Sequence, residues 1–314
     1  MATAPLALDR PGTVPARRGG AVARLRRKPE VVALVLIAPA LLLRGVTAVW
    51  PFFDTIWISL HRSNPTLGPD VYIGVRNYDR LLGSSAVQST TFFTVFYTVA
   101  STLAELFLGL LLALLLNASF KLRYAARSLN LIPWAIPVVV TGIAFRFGLD
   151  NDFGLFADMF RRATGQEITW LLDTWPARTS VIGTNVWRNA PFVAIILLAA
   201  IQTIPEELFE AARLDGANAL QVLVGITLPL ITPVTVSIGV FFLIWQISSF
   251  DLILSMTGGG PGNATQVLGY QAYLDAFQGL NFGRGSALSV MLLVIVALFG
   301  LLGTLLLRRF EART

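Results

Sequence analysis

Six stretches of the chain, at about 31–53, 91–116, 128–149, 179–202, 228–255 and 285–307, are apolar for more than twenty residues and carry at most one charged residue each. A helix rising ~1.5 Å per residue needs roughly 20 apolar residues to cross a hydrocarbon core of ~30 Å. The runs lack the two-residue alternation of a membrane strand, and only a helix or a closed barrel satisfies its own backbone in lipid. Each run therefore predicts a spanning helix, and the expected fold is an all-α integral membrane protein with about six transmembrane helices. Trp50, Phe52, Phe53 and Trp57 gather at one end of the first run and Trp134 near one end of the third, as interfacial aromatics do. Pro39, Pro133, Pro137 and Pro229 lie in or beside the runs, where neighbouring helices can satisfy freed carbonyls.

Composition agrees. Of 314 residues, 55% are apolar and only 13% charged, against about a quarter charged in soluble domains. The net charge of +6 raises the question of nucleic acid, but seven of the 24 basic residues precede the first run in a stretch rich in Pro, Gly and Ala. Such a stretch reads as a disordered basic tail and a topology signal, not as a folded nucleic-acid face. Segments 1–30, 117–127, 203–227 and 308–314 hold 14 Lys and Arg, and segments 54–90, 150–178 and 256–283 hold six. This asymmetry places both termini in the cytoplasm. The expected organisation is a cytoplasmic tail (1–30), a six-helix domain (31–307) and a short cytoplasmic tail (308–314). The first run has no short apolar core followed by a small-residue cleavage site and is expected to be retained.

Several chemistries are excluded. There is no cysteine, and the single histidine, His61, cannot make a metal site alone. The two lysines, Lys28 and Lys121, follow no Gly-rich phosphate loop, so the chain is not expected to hydrolyse ATP. A membrane enzyme would need a nucleophile–base pair or a metal cluster, and neither stands out.

The segment Ile204–Pro233 (IPEELFEAARLDGANALQVLVGITLPLITP) is the most informative cytoplasmic stretch. Pro205 suits a first helical turn, Glu206 and Glu207 sit at its positive end, and Leu208, Ala211 and Ala212 share one face. Asp215-Gly216 stops that helix, and Ala217–Ile226 resumes one. Four acids and one arginine are the wrong sign for anionic lipid, so a protein partner explains this helix–turn–helix better than a membrane surface. Glu210-Ala211-Ala212, Asp215-Gly216-Ala217 and Ile226-Thr227-Leu228-Pro229 closely resemble the EAA loop of binding-protein-dependent ABC importer permeases. That resemblance implies a type I permease fold and a separate cytoplasmic ATPase dimer that carries the ATP and magnesium. It also makes Glu210, Ala211, Ala212, Asp215 and Gly216 the residues that couple to it.

A second stretch, FDLILSMTGGGPGNATQ from Phe250, ends a helix in a glycine run that turns sharply. With Gly74–Tyr78, Ile132–Pro137, Ala276-Phe277 and Gly285–Ser289, it resembles the carbohydrate-uptake branch of these permeases. The branch implies a sugar or oligosaccharide as solute, a second homologous permease subunit and an extracytoplasmic solute-binding protein. A glycerol phosphate or polyol stays open, as does, in another class, an ion-coupled secondary transporter.

Polar residues inside spans are functional candidates. Arg188 lies nine residues from the outer start of the fourth run and Gln246 about nine from the outer end of the fifth, ~14 Å deep at helical rise. Amides and charges that meet hydroxyls, with an aromatic face for the C–H side, are what a sugar needs. The resemblance implies a midplane pocket at Asn185, Arg188, Asn189, Phe192, Trp245, Gln246 and Ser249. The competing reading is that these groups only hydrogen-bond across helices and that Arg188 pairs with Asp251. Glu105, near the middle of the second run, has no acidic neighbour at its depth, and its separation from Arg44 along the normal, ~9 Å, disfavours direct pairing. A proton relay at Glu105 would mark the secondary transporter.

Overall fold

The computed structural model describes residues 29–311, and the chain divides into two compact units, 1–54 and 55–314. Most of the expected N-terminal tail, residues 1–28, and the last three residues lie outside the described residues. The described part of the first unit is α1 (Pro29–Arg44), continued through a π turn (Gly45–Val49) into the beginning of α2 (Trp50–Ser59), whose residues from 55 on belong to the second unit. Its large side chains are exposed along its length, Leu36 and Trp50 among the most exposed.

In the second unit a short hairpin comes first, with β1 (His61–Arg62) antiparallel to β2 (Val71–Tyr72) and His61 opposite Tyr72. Then follow α3 (Arg76–Leu82), α4 (Ser85–Asn117), α5 (Arg123–Asn130), α6 (Ile132–Ala135), α7 (Val138–Gly148), α8 (Leu155–Thr164) and α9 (Thr174–Ile201). The chain continues with α10 (Glu206–Leu214), α11 (Ala219–Val222), a π turn (Leu223–Thr227), α12 (Leu228–Ser248) and α13 (Asp251–Met256). It ends with α14 (Leu268–Tyr273), a third π turn (Leu274–Gln278) and α15 (Phe282–Glu311).

Among the described residues five helical stretches are long and apolar enough to span a membrane: Ala33–Ser59, Ser85–Asn117, Thr174–Ile201, Ala219–Ser248 and Phe282–Arg308. The third expected span differs from the sequence reading. It is a pair, Arg123–Ala135 and Val138–Gly148, bent by 87°. Ile136, held extended at ψ 132° before Pro137, is the break, because the proline ring excludes the α region for the residue it follows and removes a backbone donor. The fifth span also ends earlier than 255. Ser249 turns extended at ψ 134° and α13 restarts at Asp251.

The second unit is built around α4 packed along α9. Gly109 allows their closest approach: a Cβ there would meet Val193 Cγ1 at 2.5 Å and the Ala190 carbonyl at 3.3 Å. One apolar cluster gathers Phe93, Tyr97, Val181, Leu252, Ile253 and Met256. Another gathers Ala113, Leu116, Val193, Leu197, Ile231, Ile238 and Phe242. On α4, α9 and α12 alike, the residues between these clusters are polar and buried: Thr98, Ser101, Thr102 and Glu105, then Thr184, Asn185 and Asn189, then Gln246. A polar belt thus separates two apolar cores, at the level where a spanning helix is farthest from water.

Candidate functional site

The amides of the belt form a hydrogen-bond network centred on Glu105, which is fully buried, while the buried hydroxyls of Thr98 and Ser101 have no partner among the described residues. Glu105 Oε1 accepts from Asn185 Nδ2 at 3.1 Å and from Asn189 Nδ2 at 3.0 Å, and Oε2 accepts from Gln246 Nε2 at 2.7 Å. The remaining amide hydrogens are also engaged. Asn185 donates to Gln246 Oε1 at 2.8 Å, Asn189 to Asn185 Oδ1 at 3.2 Å, and Gln246 to Thr102 Oγ1 at 3.1 Å. Each of the three amides therefore uses both of its N–H groups. This is the arrangement a water-poor interior demands, since a buried donor left unmatched costs about 1–3 kcal/mol.

Asn189 Oδ1 completes the chain by accepting from Arg188 Nη1 at 3.0 Å, while Arg188 Nε reaches the Ile136 carbonyl at 3.4 Å. No ion pair joins Arg188 to Asp251 among the described residues; Arg188 is held by an amide and by the carbonyl at the bend before α7.

Six of the seven expected pathway residues, Asn185, Arg188, Asn189, Trp245, Gln246 and Ser249, line one cavity of about 80 Å³, with Tyr97 and Asp251. Phe192 does not. It stacks on Trp134, ring centroids 4.7 Å apart, and packs with Phe242 in the neighbouring apolar cluster. The cavity's buried wall is amide; Trp245 and Asp251 are exposed. At about 80 Å³ it holds a few waters, well short of the ~300 Å³ or more of a typical ligand pocket. Tyr97 was visible as an aromatic in the second run, but only the packing of α4 against α9 brings it here. For Glu105 the signal was the spacing of Thr98, Ser101, Thr102 and Glu105, which marks a polar stripe on one helical face.

The expected coupling loop folds as α10, a turn and α11. Gly216, at φ 75°, supplies the left-handed residue that ends α10, with Ala217 N–H returning to the Ala212 carbonyl at 2.9 Å. Asn218 and Gln221 form a reciprocal capping box that starts α11, a pattern readable in the sequence. Glu206, Glu207, Glu210, Ala211 and Asp215 are all exposed. So are two leucines that sequence reasoning did not single out, Leu214 at 89% and Leu220 at 68%. Beneath the loop, Phe209, Arg213, Ala217 and Leu220 line a groove of about 660 Å³ with Leu114, Asn117 and Ile201 from the ends of α4 and α9.

The glycine-rich stretch after α13 is packed in part: Gly259, Ala264, Thr265 and Gln266 are buried, and Gly258, Gly262 and Asn263 are exposed. Arg178 on α9 is buried, lies over the rings of Phe93 and Trp175 at 5.1 and 5.2 Å, and donates to the Ala264 carbonyl at 2.8 Å. Thr265 Oγ1 donates to the Gly260 carbonyl at 2.7 Å. Arg178 was counted in the sequence only as an outer-loop charge.

Known proteins match this architecture and these segments. The family described as "binding-protein-dependent transport system inner membrane component" matches residues 105–314. The trehalose/maltose transport system permease protein MalF of Thermococcus litoralis is 33% identical over 276 residues, 88% of this chain and 93% of its own. The sulfoquinovosyl glycerol transport system permease protein SmoG of Agrobacterium fabrum is 34% identical over 267 residues, 85% of this chain and 87% of its own. The fold is shared with the crystal structure of a bacterial ABC transporter involved in the import of the acidic polysaccharide alginate, at a TM-score of 0.78 and 23% identity over 91% of this chain and 97% of that one. With its long apolar helices, the chain is a multi-pass inner membrane protein, and it belongs to the family of binding-protein-dependent transport system inner membrane components.

Proposed function

We propose that the chain is one permease subunit of an ATP-driven, binding-protein-dependent importer of a sugar or oligosaccharide and forms half of its solute path. One observation carries this reading: the stretch Ala219–Ser248 is continuous helix, joining the exposed loop of acids and bare leucines to the cavity lined by Trp245 and Gln246. At ~1.5 Å per residue this is a ~45 Å strut, so a displacement of the loop reaches the cavity without an intervening hinge loop.

On this reading Glu210, Ala211, Ala212, Asp215 and Gly216 present the loop to a separate ATPase dimer, which holds ATP and magnesium while this chain binds no cofactor of its own. Both termini face the cytoplasm. A second permease subunit covers the exposed side of the cavity at Trp245, and an external binding protein delivers the solute. The cavity carries one cation, Arg188, and one carboxylate, Asp251, beside the Trp245 ring. Opposite charges with an aromatic face fit a neutral polyhydroxylated solute better than a glycerol phosphate, whose anion would meet Asp251.

The test is uptake by the complete complex in proteoliposomes, with radiolabelled maltose as probe. Glu210→Lys reverses the charge of an exposed docking residue and is expected to lower ATP-dependent uptake by more than about tenfold, with native amounts of the subunit in the membrane. Native uptake by that variant rejects the coupling role.

A further inference from the structure

The functional reading leaves Glu105 without a task, although it is the most deeply buried charged residue described. It does not line the cavity described above, yet three amides from two other helices converge on it. We propose that Glu105 is the positioning residue of the solute path: it fixes the orientation of Asn189 and, through it, the direction in which Arg188 presents its guanidinium to the cavity.

Hydrogen-bond direction carries the inference. Every contact to the carboxyl group comes from an N–H, so both oxygens serve as acceptors. Once Asn189 Nδ2 is committed to Glu105 Oε1 and Asn185 Oδ1, its carbonyl oxygen has one direction left, toward Arg188 Nη1. Asn185 and Gln246 are locked in the same way, which removes all three amides' N–H groups from the solute's reach. Polar groups with unused capacity at the cavity are then Arg188 Nη2, the Tyr97 hydroxyl, the Trp245 indole N–H and the Asp251 carboxylate, which have no hydrogen-bond partner among the described residues, and the Ser249 hydroxyl, which donates to the Trp245 carbonyl and can still accept. Glu105 thereby selects which side chains can meet a solute. The amides that a sequence reading assigns to the solute instead form the frame that aims the arginine.

An amide at position 105 breaks the logic. Glu105→Gln supplies one acceptor and one donor where the network needs two acceptors, so one N–H must face another and the amides must turn. Arg188 then loses its fixed partner.

Two measurements test this on the assembled complex, and it rests on the proposed permease role only in the second. In the first, Arg188 is modified by phenylglyoxal in the detergent-solubilised complex and quantified by peptide mass spectrometry, with Arg178 and Arg213 as internal references. Arg188 is expected to react several-fold faster in Glu105→Gln and in Asn189→Ala than in the native chain. An unchanged relative rate in both variants overturns the proposal, with no reference to any solute. In the second, the KM for maltose uptake rises about tenfold in Glu105→Gln, the loss of a charge-assisted hydrogen bond. In an Arg188→Lys background the same substitution adds less than about twofold, because both act through one group. Multiplying effects mean that Glu105 acts elsewhere and overturn the proposal. If Glu105→Gln does not reach the membrane, Asn189→Ala, which leaves Glu105 in place and removes the link to Arg188 together with Asn189's own bonds to Glu105 and Asn185, decides alone in both measurements. A native complex that takes up no maltose counts against the sugar reading and leaves the first measurement standing.

Discussion

The belt and the α10–α11 loop sit at the two ends of one helical stretch and solve opposite problems. In the belt every amide hydrogen has an acceptor inside the same chain, and nothing charged is left facing the apolar cores. In the loop the acids are unpaired among the described residues and Leu214 and Leu220 stand in the open. A region whose amides and carboxyl group satisfy one another acts by holding shape. A region that leaves both charges and apolar side chains unmatched acts by meeting another surface. The same chain thus closes the amide network inside itself and leaves the loop's apolar and acidic groups unmatched among the described residues.

The contrast can be broken at either end. After the charge reversal at Glu210, the largest expected effect is at the belt's support. Gly109→Leu would drive a side chain into Val193 and the Ala190 carbonyl, separating α4 from α9 below Glu105. Overpacking of this kind costs about 1–3 kcal/mol, and the unfolding midpoint of the purified complex is expected to fall together with uptake. An unchanged midpoint would show that the two helices do not pack this closely. A smaller effect is expected at Leu214→Asp, which removes an apolar contact of about 1.5–3 kcal/mol only if a partner buries it. Here uptake should fall while the subunit's own thermal stability stays native; loss of both would return Leu214 to the core of this chain.

The smallest effect sharpens the comparison by its absence. On the exposed helix α8, Arg161 and then Arg162 hydrogen-bond the Asp158 carboxyl and hold its pKa below the ordinary value. A depressed carboxylate pKa contributes stability at neutral pH that is lost as pH falls through the folded-state value. Both partners are solvated, so the contribution is screened. Arg161→Ala should raise the Asp158 pKa, weaken the acid side of the pH–stability profile slightly and leave uptake unchanged. A loss of uptake would place α8 in the solute path.

Much of this was legible in the sequence. Five of the six runs contain a continuous helix of spanning length, and the EAA-like segment folds as the helix–turn–helix that its Pro205, Asp215 and Gly216 announce. What escaped depends on distance along the chain. Pro137 was visible, but the 87° bend also involves Arg188 reaching the Ile136 carbonyl and Asn130 reaching the Pro191 carbonyl. Glu105 had no partner in a reading of single runs, because its amides lie 80 to 141 residues away. Phe192 sits next to the belt in sequence, yet its ring lies against Trp134 and Phe242 in the apolar cluster. Periodicity reports which face of a helix is buried; it does not report which neighbour lies on that face.

The π turn at Leu223–Thr227 joins α11 to α12, with Thr227 Oγ1 directed at the Val222 carbonyl five residues back. A π turn holds one residue more than an α turn, and one residue is about 100° of helical azimuth. The compass bearing of α10 and α11 around the axis of α12 is therefore written in a register step at the root of the strut, and not in the loop itself. Deleting one residue there would leave every motif of the loop intact and point it at a different neighbour.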